Sequence, residues 1–133
     1  MPSLVVDASA IVDLLIGSPV SGVLFDRFIR SGDVLHAPHS IDVEVAHAVR
    51  RLWLRGLISD SAMDDLIVIY PRLNIFRHPL GALLRRIWDL RHNVASYDAA
   101  YVALAELLDA PLITRDARLA RSSGHAARIE YID

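Results

Sequence analysis

The chain contains no cysteine and no lysine. Without cysteine there are no disulfides, no thiolate metal sites and no cysteine nucleophiles. Without lysine there is no Walker A loop, no Schiff base, and none of the phosphate-binding lysines that receiver domains and haloacid-dehalogenase-like phosphatases use. All 14 basic residues are therefore arginine, which GC-rich codon usage explains as readily as function does. No apolar run approaches the roughly 18 residues that a membrane span needs. No basic stretch followed by an apolar core and a small-residue cleavage site opens the chain, so neither a signal peptide nor membrane association is expected. The cytoplasm is the expected location.

What is present describes one α/β domain, residues 1–133. Hydrophobic residues make up 53% and charged residues 23% of the 133, enough apolar material for a real core. The net charge is −2, which at first argues against a nucleic-acid partner. If four acids share one metal site, however, 12 of the 16 acids remain against 14 arginines. The distribution of arginine then matters more than the total.

Apolar strand candidates alternate with helical periodicity along the chain: 3–6, 34–37, 73–76, 111–114 and 129–132. Helices are expected at 8–16, 18–30, 38–55 with Pro38 at its start, 59–70, 80–90, 98–108 and 116–122. No repeat or low-complexity linker interrupts this order. The alternation predicts a mainly parallel sheet covered by helices.

Against that frame the acids fall at informative places. Asp7 closes an apolar strand and precedes a helix, and Asp116 does the same after Leu112-Ile113-Thr114. Asp98 stands at the start of an alanine-rich helix. Each has an ordinary alternative as a helix cap or a dipole partner. Glu44 lies inside an otherwise apolar helix, two residues after Asp42, where capping does not account for it; a surface position is its ordinary alternative. Right-handed βαβ units place every strand-to-helix turn on one edge of a parallel sheet. Carboxylates gathered there repel one another unless a divalent cation joins them. Ser9 and Thr114, each two residues from one of these acids, have ordinary turn chemistry as their first reading; orienting a ligand or a bound water is the supporting role they could add.

The sequence also resembles the PIN-domain family, and within it the short ribonuclease toxins of VapBC toxin–antitoxin pairs. The likeness spans essentially the whole chain. It rests on Val5-Val6-Asp7-Ala8-Ser9-Ala10, on Glu44-Val45-Ala46-His47-Ala48, on Tyr97-Asp98-Ala99-Ala100-Tyr101-Val102-Ala103-Leu104-Ala105, and on Leu112-Ile113-Thr114-Arg115-Asp116-Ala117-Arg118-Leu119. Any one of these is weak; four in order carry the resemblance. It implies a PIN-like three-layer α/β/α fold with a four- or five-stranded, mainly parallel sheet. It further implies metal-dependent hydrolysis of RNA, with Mg²⁺ (or Mn²⁺) held by Asp7, Glu44, Asp98 and Asp116. A homodimer and a cognate VapB-like antitoxin follow from the same resemblance.

None of the six histidines supplies a clear general base; His47 lies three residues along the glutamate's helix. Arg115 and Arg118, beside the last acid, are expected to grip RNA phosphates. Arg85, Arg86 and Arg91 have a solvated helix face as their ordinary reading. Leu52-Trp53-Leu54, Leu57-Ile58 and Met63 surround a helix–helix turn, and this hairpin is the expected groove for an antitoxin helix. The alternative from another class is a catalytically silent PIN fold that binds RNA or protein. A structure-specific DNA nuclease is less favoured, because the chain has no room for an accessory arch.

Overall fold

The computed structural model describes residues 2–133. Five strands, β1 (Ser3–Val6), β2 (Val34–Pro38), β3 (Ile75–His78), β4 (Leu112–Thr114) and β5 (Ile129–Tyr131), form one sheet in the order β3-β2-β1-β4-β5. Every neighbouring pair is parallel. Seven α-helices connect them among the described residues: α1 (Ala8–Leu15), α2 (Ser21–Phe25), α3 (Ile41–Leu54), α4 (Asp60–Ile69), α5 (Leu84–Asp89), α6 (Ser96–Leu108) and α7 (Ala117–Ala120). The chain adopts the expected α/β architecture; of the four or five mainly parallel strands expected, it forms five, and all neighbours are parallel.

The inner strands β1 and β4 carry the core. Val5, Val6, Leu112 and Ile113 are all fully buried, as strands sandwiched between helices must be. Helix α6 packs on β1, β2 and β4. Its run Ala99–Ala105 is buried throughout, because small alanines let the helix lie close to the sheet. Strand order reverses between β1 and β4, and such a switch point opens a crevice at the carboxyl ends of the strands.

Several boundaries differ from the sequence expectation, each for a local reason. Pro38 ends β2, opposite His78, rather than opening a helix; β1 pairs with β2 only as far as His36. Proline's missing N–H therefore leaves no ladder bond unmade on that side. The stretch after α2 is a π-helical turn, Asp26–Arg30, so the expected long helix over 18–30 is broken. β3 starts two residues later than expected, because Tyr70–Arg72 forms a 3₁₀ turn first. Helix α3 ends in a Schellman turn: Gly56, at φ +74°, sends its N–H to Trp53 O, and Leu57 N–H reaches Leu52 O. That turn sets the α3–α4 hairpin.

Candidate functional site

Asp7 follows directly from strand geometry. Register pairs Val6 with Ile113, so the next residues of β1 and β4 meet as well. The Thr114 hydroxyl donates to Asp7 Oδ2. Asp7 Oδ1 accepts from the Ala10 N–H at 3.0 Å and from the Ser9 hydroxyl at 2.7 Å. The residue both caps α1 and points into the crevice, so the capping and site roles do not compete. Burial drives its carboxyl up to about 6, the Asp116 charge adds to the rise, and the three hydrogen bonds oppose it.

Thr114 and Ser9 hold the two strand ends together. Thr114 Oγ1 accepts from the Asp116 N–H at 2.9 Å, and Ser9 Oγ accepts from the Arg115 N–H at 3.1 Å. Asp116 caps α7, its Oδ1 accepting from the Arg118 N–H at 2.9 Å. Asp98 is not a cap: α6 begins at Ser96 after Ala95, which leaves Asp98 in the first turn, aimed at the crevice. Glu44, on α3, accepts from the Tyr101 hydroxyl at 3.0 Å.

All four carboxylates border one cavity of about 500 Å³. Glu44 and Asp98 are held above their usual range, first by burial and then by neighbouring carboxylates: Asp98 and Asp7 act on Glu44, and Asp116 acts on Asp98. Asp7, Glu44 and Asp98 thus each sense at least one other of the four. As the side chains stand, no three Asp, Glu or His groups among the described residues close on one point as a metal cage. Two of the four, Asp7 and Asp116, are occupied by backbone and hydroxyl donors, and like charges spread apart. The donor set, carboxylate oxygens alone, is the one that hard divalent cations take.

Asp42, the first acid of its stretch, turns away from the crevice. It accepts from Arg77 and from the Tyr70 hydroxyl, and the Arg77 hydrogen bonds hold its carboxyl low. Two tyrosines that line the cavity escaped the sequence reading of the site, and His47, weighed there only as a general base, lines it too. Tyr97 and Tyr101 lie within the quoted motif, and Tyr101 stands one helical turn after Asp98. His47 stands one turn after Glu44. The signal for Tyr101 and His47 was the i, i+3 spacing to an acid on a known helix.

The arginines divide. Arg115 Nε lies 2.7 Å from Asp13 Oδ2 and Nη1 donates to Ile132 O at 2.8 Å, so it ties α1 to the residue just after β5 instead of facing the crevice. Arg118 is exposed, and its charge lowers Asp98. Arg86 makes a two-pronged bond to Glu106 at 2.7 and 2.9 Å, Arg85 pairs with Asp89, and Arg91 stacks over Trp88.

Two apolar grooves flank the molecule. Leu15, Ile16, Leu52, Leu57 and Ile58 line one of about 550 Å³ at the α3–α4 hairpin, with Leu57 61% exposed. Leu80, Leu84, Trp88 and Tyr97 line another of about 360 Å³, reached from the acidic cavity past Tyr97.

A PIN-domain family model matches residues 4–124. Ribonuclease VapC1 of Mycobacterium tuberculosis is 41% identical over 99% of both chains. Ribonuclease VapC12 of the same organism is 44% identical over 97% of this chain and 98% of its own. Among solved structures, PAE2754 from Pyrobaculum aerophilum superposes with a TM-score of 0.66 at 25% identity, covering 96% of this chain and 83% of that one. VapBC2 from Rickettsia felis, solved with a DNA fragment from its promoter, gives 0.67 at 14% identity over 98% and 99%; that likeness concerns the fold.

Proposed function

The chain belongs to the PIN-domain family, and from that premise we propose that it is a metal-dependent endoribonuclease, the toxin of a toxin–antitoxin pair, acting as a single domain in the cytoplasm. The observation that carries the reading is one cavity bordered by Asp7, Glu44, Asp98 and Asp116. Relatives at 41% and 44% identity named as ribonucleases support the reaction class.

Asp7, Glu44, Asp98 and Asp116 are the residues that would hold Mg²⁺ or Mn²⁺. Once bound, the ion supplies a Lewis acid that lowers the pKa of a water and offsets charge on the phosphate. The protein's own part is positioning. Ser9 and Thr114 keep Asp7 and Asp116 at adjacent strand ends, and α3 and α6 deliver Glu44 and Asp98 from the other side. Arg118, exposed beside Asp98, is the cation placed to meet an RNA phosphate. Arg115 acts behind it, anchoring the β4–α7 turn.

The antitoxin partner is assigned to the α3–α4 hairpin, where Leu57, 61% exposed, lines the groove while Leu54 and Trp53 stand outside it, 57% and 45% exposed, Trp53 beside Met63 in a separate hollow. An amphipathic helix would cover such a stripe. A homodimer is assigned to the second groove, where Leu84, Trp88 and Tyr97 are each at least 60% exposed. Trp88→Asp should then give a monomer by analytical ultracentrifugation.

The reading is tested by incubating total RNA with wild type and Asp98→Asn, with Mg²⁺ and with EDTA. Wild type should cut only with metal, and Asp98→Asn should cut about 100-fold more slowly or worse. RNA that is bound but never cut by wild type would favour the silent binding module.

A further inference from the structure

We propose that Tyr101 is a positioning residue for Glu44: its hydroxyl fixes one carboxylate oxygen and so sets how the carboxylate meets a cation. This rests on the reading of Glu44 as a metal ligand. Tyr101 is 1% exposed, yet its hydroxyl reaches the acidic cavity and lies 3.0 Å from Glu44 Oε2. The bond links two helices, α3 and α6, each of which also carries one of the four acids.

Packing alone does not explain a tyrosine here. The ring belongs to the buried core, and phenylalanine would fill that space without a hydroxyl to satisfy. Burying a hydroxyl is unfavourable unless it is bonded, and the group that bonds it is a site carboxylate. Glutamate has three side-chain torsions, more than aspartate, and loses more freedom when a ligand fixes it. Asp7 is already held by Ser9, the Ala10 N–H and Thr114, and Asp116 by the Arg118 N–H. Tyr101 does the same for the longest of the four acids. A phenolic O–H donates to a carboxylate, so Tyr101 fixes Oε2 and with it the plane of the Glu44 carboxylate.

The test compares wild type, Tyr101→Phe, Glu44→Gln and the double variant by Mn²⁺ titration, read by electron paramagnetic resonance and calorimetry. Thermal melts in EDTA check that each variant is folded. Tyr101→Phe should bind Mn²⁺ about 10- to 100-fold more weakly, as loss of a partner behind a metal ligand does. Its kcat should fall with the KM for RNA unchanged. In the Glu44→Gln background the same change should have almost no further effect on Mn²⁺ affinity, since the residue it positions is gone. Unchanged Mn²⁺ affinity in Tyr101→Phe overturns the proposal, and so does an equal loss in both backgrounds. Wild-type RNA cleavage is scored separately: a wild type that binds Mn²⁺ but leaves RNA whole removes the nuclease reading, while the Mn²⁺ comparison still decides Tyr101.

Discussion

The Thr114 hydroxyl bonds to Asp7 across 107 positions of chain, and Thr114 is fully buried. One oxygen therefore satisfies a carboxylate at the end of β1 and, by accepting from the Asp116 N–H, starts the turn after β4. Thr114→Val keeps the shape and removes both bonds, leaving a buried carboxylate and a backbone N–H short of partners. Stability should drop by about 2–3 kcal/mol, while Thr114→Ser should stay within about 1 kcal/mol of wild type. Urea unfolding measures both, and a Thr114→Val protein as stable as Thr114→Ser would falsify the role.

Burial of Asp7 also gives stability a pH dependence. Its carboxyl rises from the ordinary 3.8 to about 6, chiefly through burial. The folded state thus holds this proton more tightly than the unfolded chain does. The stabilisation is complete below pH 3.8 and is lost as pH climbs through about 6. At 1.36 kcal/mol per pH unit, the rise of roughly two units is worth about 3 kcal/mol. Asp7→Asn is neutral at every pH, so in EDTA it should lack this decline and be more stable than wild type at pH 7 by about 1–3 kcal/mol. Adding Mg²⁺ should restore wild type and do little for the variant. Parallel stability curves for the two proteins from pH 4 to 7 would contradict the assignment.

The sheet was legible because strand periodicity is local. Val5-Val6 and Leu112-Ile113 are apolar runs next to helix starts, and parallel βαβ units then place Asp7 and Asp116 on one edge. Glu44 was legible only as an anomaly in an apolar helix. What stayed hidden depended on distant partners. Nothing near Arg115 in the chain announces Asp13 and the Ile132 carbonyl, both of which reach it through the fold. Pro38 resembles a helix start until β1's short pairing with β2 shows why a strand can end on proline. Helix α6 begins two residues before the expected 98, because Ala95 is extended but offers no side-chain cap to mark the boundary.

The two arginines beside Asp116 should separate cleanly. Arg118 is exposed and carries charge toward the crevice, so Arg118→Ala should weaken RNA binding and reduce its salt slope by about one. Arg115 is an internal tie, so Arg115→Ala should lower stability by about 1–2 kcal/mol, for a partly exposed ion pair with an added carbonyl bond. Its salt slope should match wild type. Fluorescence anisotropy with a short RNA at several salt concentrations, paired with urea melts, distinguishes the two. Swapped behaviour would mean that Arg115 leaves Asp13 when RNA arrives.

The hairpin groove makes a prediction that fold stability cannot imitate. Leu57 is 61% exposed and follows the Schellman turn at Gly56, so its side chain does little for the core. Leu57→Asp should leave the melting temperature of the isolated protein nearly unchanged, as surface substitutions do. If an antitoxin helix lies on this stripe, the same change buries a charge without a partner, at a cost of several kcal/mol. Co-expression with a VapB-like antitoxin should then give a complex with wild type and little or none with Leu57→Asp, while metal-dependent RNA cutting by the free protein persists. Leu66→Asp is the contrast: that residue is 8% exposed, and its replacement should unfold the protein outright. A Leu57→Asp variant that still pairs as tightly as wild type would move the antitoxin off this groove, leaving the acidic cavity and its chemistry untouched.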